Sequence, residues 1–293
     1  MNETIIDVRN FESLLNPVYI PYLYDEHRYL VLKGGAGAGK SHFACQKILY
    51  RTMAEAGHRF LIIRKVKDTI RKSVFQLFQD YISKWDLSGE FKINQTVQTI
   101  TFLGNGNMII FAGIDDPEKL KSMEGITGVW IEEATELALK DFEEIDRRLR
   151  GIFHTYMQII LTYNPILKSN WTYHRFFEDL TDTDLEDIIV LTTTYKDNIF
   201  IKDDKAYVRL LESYTGNNRK VYTLGQYGML ENAVYSNWHL IDDDKFPVTD
   251  DPVYGLDFGY IAPMALIKVV VDMEEMKIYL HEEYYNKIGR AHV

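Results

Sequence analysis

The chain has 293 residues, 46% hydrophobic and 26% charged, a soluble globular balance with room for one large domain or one domain and part of another. Its net charge of −10 argues against a static basic coat on nucleic acid, while leaving open a motor that touches DNA through a local patch. No apolar run nears the roughly 18 residues of a membrane helix, the amino terminus has no secretory pattern, and a lone cysteine, Cys45, excludes an internal disulfide and a cysteine-rich metal site. A cytosolic protein with no membrane partner is the expectation.

Residues 1–28 carry Pro17 and Pro21 among Tyr19, Tyr22, Leu23 and Tyr24, an aromatic extended segment that either packs on a sheet or flaps over a bound base. Next comes Tyr29-Leu30-Val31-Leu32-Lys33-Gly34-Gly35-Ala36-Gly37-Ala38-Gly39-Lys40-Ser41, an apolar strand, a glycine-rich loop and a helix start. Gly34, Gly39, Lys40 and Ser41 satisfy G-x-x-x-x-G-K-[ST], a loop whose backbone N–H groups cradle phosphates. Lys40 is expected to reach the β/γ-phosphates of ATP, and Ser41 to ligate Mg2+. Cys45, Ile48, Leu49, Met53 and Ala56 form the apolar face of the following helix, which makes Cys45 a core residue.

Residues 59–64 read as a strand buried on both faces, and Val74, Leu77, Phe78, Tyr81, Ile82 and Trp85 as a helix. Arg59, Arg64, Lys65, Lys67, Arg71 and Lys72 concentrate positive charge here, either as a nucleic-acid patch or as solvated faces. Strands over 91–94, 99–103 and 108–111, with a turn at Gly104-Asn105-Gly106, make an antiparallel insertion in a mostly parallel α/β sheet.

Gly128-Val129-Trp130-Ile131-Glu132-Glu133-Ala134 is a strand ending in two carboxylates, expected beside the phosphate-loop strand. There Glu132 would hold the metal and Glu133 would act as base on the attacking water. Arg147, Arg148 and Arg150 on the next helix, with Arg64 and Arg71 as competitors, are candidates for an arginine that neutralises phosphate charge. A strand over 157–163 stops at Asn164-Pro165. Polar groups at a strand's carboxyl end face the ligand crevice, so Thr162 and Asn164 are candidate sensors of the γ-phosphate, with a turn cap as the alternative for Asn164. A helix over 171–180, a strand over 188–194 and a helix through Arg209 and Leu211 complete this part. A join near 231–236 leads to three further strands, beginning at Val253-Tyr254-Gly255-Leu256-Asp257-Phe258-Gly259.

Taken in order, residues 34–41, Val129-Trp130-Ile131-Glu132-Glu133-Ala134, Leu161-Thr162-Tyr163-Asn164-Pro165, Thr193-Thr194-Tyr195-Lys196-Asp197-Asn198 and Gly255-Leu256-Asp257-Phe258-Gly259 resemble the large terminase subunit of tailed bacteriophages. The resemblance implies a P-loop ATPase domain over 1–232 and the first strands of a ribonuclease H-like nuclease domain over 233–293. It implies an ATPase, usually a homo-oligomeric ring on the portal protein of a procapsid, that drives double-stranded DNA inward in the host cytoplasm with a terminase small subunit. The nuclease would cut the DNA concatemer with divalent metal, Mg2+ or Mn2+. Carried onto this sequence, Gly34, Gly35, Ala36, Gly37, Ala38, Gly39, Lys40, Ser41 and Asn164 bind nucleotide. Glu132 and Glu133 are the second-motif acids, residues 162–164 the coupling motif, and Asp257 the first nuclease carboxylate and metal ligand.

Ala36 departs from relatives with an arginine inside the loop, so any assisting arginine must come from elsewhere. The remaining nuclease acids of the family would lie beyond Val293. The ending Ile288-Gly289-Arg290-Ala291-His292-Val293 is what the sequencing adaptor ATCGGAAGAGCACACGTC encodes, which reads as an artefactual tail on a fragment. Two rivals stand beside the packaging motor: a helicase-like translocase, and an assembly protein that uses ATP only as a switch.

Overall fold

Alternating apolar runs and amphipathic stretches become, in the computed structural model, a sheet covered on both faces. The structure describes residues 10–66, 70–71, 73–114, 124–151, 153–178, 180–229, 241, 245–249, 251–257 and 264–286, in two units, Met1–Glu231 and Asn232–Val293. The expected join, Lys67, Lys72, Phe258-Gly259 and the 288–293 tail lie outside the described residues.

The first unit is built on β1 (Tyr29–Gly34), β2 (Arg59–Arg64), β3 (Phe91–Asn94), β4 (Thr99–Phe102), β5 (Met108–Gly113), β6 (Gly128–Glu132), β7 (Gln158–Tyr163) and β8 (Ile188–Thr193). Their order is β3-β4-β5-β2-β6-β7-β1-β8. The strands from β5 across to β8 run parallel, and β3 and β4 form the antiparallel insertion at one edge. One expectation is corrected: β6 does not neighbour β1, because β7 lies between them. Central strands buried on both faces are equally apolar, so hydrophobicity alone does not rank their neighbours.

Strand alternation divides the core in two. Leu30, Leu32, Ile62, Trp130 and Ile160 face α1 (Lys40–Ala54) and α2 (Val74–Lys84), meeting Phe43, Ile48, Leu49, Phe75, Phe78 and Ile82. Val31, Ile63, Ile131, Leu161 and Tyr163 face α3 (Leu139–Arg148), meeting Phe142 and Ile145. Phe11, Leu15, Tyr19 and Leu23 of the amino-terminal segment are buried in the first of these cores, so the segment packs rather than flaps. Cys45 is fully buried there as well. The helix expected over 171–180 is a single turn, Trp171–Tyr173, that widens into a π turn, His174–Glu178, where Phe176 is driven into the second core.

At the strands' amino end, a buried polar network clamps the far end of α1. Arg51 donates to both carboxylate oxygens of Glu55 (3.0 Å each) and to Tyr156 O (2.8 Å), and its guanidinium lies 3.6 Å from the Tyr156 ring centroid. Buried His58 donates from Nε2 to Glu55 (2.5 Å).

The second unit is an antiparallel meander of β9 (Val253–Asp257), β10 (Met264–Asp272) and β11 (Lys277–Asn286), ordered β11-β10-β9. Asp272 Oδ1 accepts from the N–H groups of Glu274 and Glu275 and forms its charged turn.

Burial pushes the Glu55 carboxyl up, but the hydrogen bonds from His58 and Arg51 outweigh it and hold the group at about 2. A depressed carboxyl stabilises the fold above its ordinary value of 4.5, and that stabilisation is lost as pH falls toward about 2. Glu55→Gln is therefore expected to lower stability near neutrality and to flatten its decline across this window, as read by urea unfolding at a series of pH values.

Candidate active site

The phosphate loop is held from outside by its carbonyls. Lys40 Nζ donates to Gly34 O (3.1 Å) and Gly35 O (2.7 Å), Asn198 Nδ2 to Gly37 O (2.8 Å), Tyr19 Oη to Ala38 O (2.9 Å) and Phe43 N to Gly39 O (3.0 Å). Gly35 N and Ala36 N donate in turn to Thr193 O (2.9 Å) and Tyr222 O (2.8 Å). The N–H groups of Gly37, Ala38, Gly39, Lys40 and Ser41 make no hydrogen bond to the described residues. They lie at the start of α1, where the helix dipole adds positive potential. Among the loop residues expected to bind nucleotide, Gly35 and Ala36 thus spend their N–H groups on the protein.

Close packing requires the glycines. A Cβ on Gly34 would lie 1.9 Å from Thr193 O, and one on Gly35 2.6 Å from Tyr222 O. Gly225, at φ +62°, sits so close that its Cβ would be 2.9 Å from Gly35 N.

The loop lines a cavity of about 330 Å3 with Glu133, Thr162, Tyr163 and Asn164. Asn164 Oδ1 accepts from Lys40 Nζ at 3.1 Å, so its side chain is engaged on the loop lysine. Thr162, buried, accepts from Trp130 Nε1 at 2.9 Å, so β7 is tied to the acid-bearing β6 beneath the cavity. Burial brings the Lys40 ammonium down to about 8, with Glu133 opposing the shift.

Even-numbered side chains of β6 face α1, which points Glu132 toward the start of α1 and would turn Glu133 to the opposite face. Glu133 instead takes the left-handed conformation, φ 53° and ψ 51°, and its side chain enters the cavity. For a non-glycine residue this costs on the order of 1 kcal/mol. Burial raises the Glu132 carboxyl to about 7, with Arg64 and the Ser41 hydroxyl opposing. Burial also raises Glu133, opposed by Lys40 and Arg64.

Glu132 Oε2 is buried without a hydrogen-bond partner, and Ser41 donates to the same carboxylate. An orphaned carboxylate oxygen beside a hydroxyl is an oxygen donor set that fits Mg2+. Among the described residues no comparable set surrounds Asp257, which stands exposed at the end of β9. Among the described residues, no group of three or more His, Cys, Asp or Glu could hold a metal.

The candidate arginines separate by sheet end. Arg147 and Arg148 bind Glu144 on α3, and Arg28, just before β1, donates to Asp146 O and Leu149 O of the same stretch. That contact places residues 146–150 at the strands' amino end, so Arg147, Arg148 and Arg150 do not reach this chain's own cavity. Arg64 stands at the carboxyl end of β2, with the acids. Arg59 stands at the opposite end of β2, so the basic run is not one patch.

A family model described as phage terminase large subunit matches residues 26–228. The chain belongs to this family. It is 32% identical to the PBSX phage terminase large subunit of Bacillus subtilis (strain 168), with 92% of this chain and 67% of that protein covered. Against the terminase large subunit of Bacillus phage SPP1 it is 28% identical over 88% of this chain and 64% of that protein. It thus spans about two thirds of the length of these large terminases. The fold is that of a large terminase from a thermophilic bacteriophage in complex with ADP (TM-score 0.60, 16% identity, 93% of this chain and 68% of that one). It is also that of the Thermus phage P74-26 large terminase ATPase domain (TM-score 0.57, 12% identity, 76% and 99%). No helix among the described residues is long and apolar enough to cross a membrane.

Gly225→Ala should weaken nucleotide binding by about tenfold or more, because backbone atoms of the loop must move to admit a methyl group. Gly106→Ala is the control, since Gly106 has φ +78° but nothing within 4 Å of its Cβ position. Titration with a fluorescent ATP analogue separates the two.

Proposed function

We propose that this chain is the ATP-hydrolysing motor part of a phage packaging terminase, which moves double-stranded DNA into a procapsid. The observation that carries this reading is the convergence of Lys40, Ser41, Glu133 and Asn164 on one cavity lined by the glycine-rich loop, with Glu132 held beside it on the Ser41 hydroxyl. The complexes of the thermophilic-phage large terminase with ADP and with ATP-γ-S support it by likeness of fold.

In this reading, the N–H groups of residues 37–41 and the Lys40 ammonium bind the phosphates of ATP. Ser41 and Glu132 would hold Mg2+, which would supply positive charge to neutralise the phosphates. Glu133 accepts the proton of the attacking water, and its left-handed backbone aims it at the nucleophile's side of the cavity. Asn164, bonded to Lys40, exchanges that partner as the phosphates change, and so reports the chemical state to β7.

The meander of the second unit is read as the opening strands of a ribonuclease H-like nuclease, with Asp257 as its first carboxylate and a divalent metal, Mg2+ or Mn2+, as cofactor. A homo-oligomeric ring, the portal protein and the terminase small subunit are the partners this function requires, in the cytoplasm of the host.

ATP turnover with and without double-stranded DNA tests the reading. The parent chain should hydrolyse ATP and be stimulated by duplex. Lys40→Ala should lose nucleotide binding, whereas Glu133→Gln should bind ATP but hydrolyse it about 100-fold or more slowly. Parent-like turnover in Glu133→Gln would refute the catalytic assignment. Binding without turnover in the parent would favour a switch, and strand separation a helicase.

A further inference from the structure

The ATPase reading leaves a charge problem at the end of β6. Glu132 and Glu133 are half-buried side by side, and the exposed Glu136, one turn of chain further on, adds its negative charge to both. Lys40 opposes Glu133, but its ammonium is already held by Gly34 O, Gly35 O and Asn164 Oδ1. A fixed protein cation beside the acids that leaves the cavity open to nucleotide and metal would offset this charge.

Arg64 meets both conditions. It ends β2, which pairs directly with β6, and the register Ile63↔Ile131 brings Arg64 alongside Glu132. Both side chains lie on the α1 face, because Ile62 and Trp130, two residues earlier on each strand, belong to that core. The Arg64 backbone is pinned on its other side by pairing with Gly113 and by the bond from Ile114 N to Arg64 O (3.2 Å). Its guanidinium donates from Nη1 to Ser73 Oγ at 3.2 Å, and its Nε is buried without a hydrogen-bond partner. A buried guanidinium N–H left unmade is costly in a structural residue. Its charge is the first opposing influence on Glu132 and the second, after Lys40, on Glu133. Held on Ser73, the group acts on both carboxylates through its field and does not cap either one.

We propose that Arg64 is the positioning residue for the two acids, a fixed in-chain cation that keeps Glu132 on the metal side and Glu133 on the water side of the cavity. This inference rests on the ATPase reading. It assigns to a residue of β2 a part in hydrolysis that does not require it to touch the nucleotide. Removal of the charge should therefore slow the chemical step and spare binding.

The test uses the full chain with ATP and Mg2+, and compares the parent with Arg64→Gln, Arg64→Met and Arg64→Lys. The neutral variants should lose about 10- to 100-fold in kcat, with KM and the affinity for a fluorescent ATP analogue within about threefold of the parent. Arg64→Lys should recover part of the loss, because it restores charge without the planar fork. Arg64→Met keeps the apolar stem and replaces Arg64→Gln if the latter does not fold. A neutral variant with parent kcat would overturn the proposal. So would a loss confined to KM, or Arg64→Lys no better than the neutral variants with an equal fall in Tm, which is the mark of a structural residue. A parent that binds ATP but never turns it over would sink the hydrolase reading and this inference with it.

Discussion

The site depends on where the loop's carbonyls point. A glycine-rich turn has no intrinsic reason to present N–H groups inward, since each peptide offers a donor and an acceptor in opposite directions. Here the acceptors of Gly34, Gly35, Gly37, Ala38 and Gly39 are all taken by Lys40, Asn198, Tyr19 and Phe43. Once those oxygens are engaged from behind, the donors of residues 37–41 face the cavity without further cost. The stacking of Tyr19 on Phe43 (4.7 Å, 10°) and the bond between its hydroxyl and Thr193 Oγ1 (2.9 Å) then link the amino-terminal segment, α1 and β8 to one point of the loop.

A second constraint lies in the two acids. Consecutive residues of a strand diverge to opposite faces, so an unbroken β6 could give the cavity Glu132 or Glu133 but not both. The left-handed turn at Glu133 brings its side chain to the cavity while Glu132 stays on the Ser41 hydroxyl, and the strain is stored at Glu133. The inserted strand β7 completes the arrangement, because its Thr162 and Asn164 fill the gap that separates the acid strand from the loop.

Much of this was legible in the residues alone, and what was not has a common cause. Spacing identified the loop, the strand ending in Glu132 and Glu133, and the strand ending at Asn164, because local periodicity and chain chemistry set those elements. Spacing could not place β7 between β1 and β6, nor send Arg147, Arg148 and Arg150 to the far end of the sheet, because both facts depend on which strands pair. The supports at Tyr19, Asn198, Tyr222 and Gly225 were also missed as site residues. Tyr19 and Asn198 lay in an aromatic segment and a Thr-Thr-Tyr-Lys-Asp-Asn tract, each compatible with ordinary packing, and Tyr222 and Gly225 carried no distinguishing pattern. His58 and Glu55 carried no signal at all, since a buried pair at a helix end looks in sequence like two surface polar residues.

The supports also bind the two halves of the site into one mechanical unit. Residues 222–228 touch the loop through Tyr222 O and Gly225, and they touch the end of β7 through Tyr227, whose hydroxyl lies 3.3 Å from that of Tyr163. Gly228 N adds a bond to Ile166 O at 3.0 Å. Tyr227 further closes, with Phe177, around the Lys33 ammonium at 5.4 and 5.5 Å, directly before Gly34. Tyr163 lines the cavity between Thr162 and Asn164 while its ring packs in the second core and its hydroxyl meets Tyr227, so β7 joins the cavity to this segment. A shift of Asn164 relative to Lys40 therefore cannot remain local. It must either be resisted by the close-packed backbone at Gly34, Gly35 and Gly225 or move residues 222–228 with it, because interiors packed at this density deform by whole elements and not by degrees.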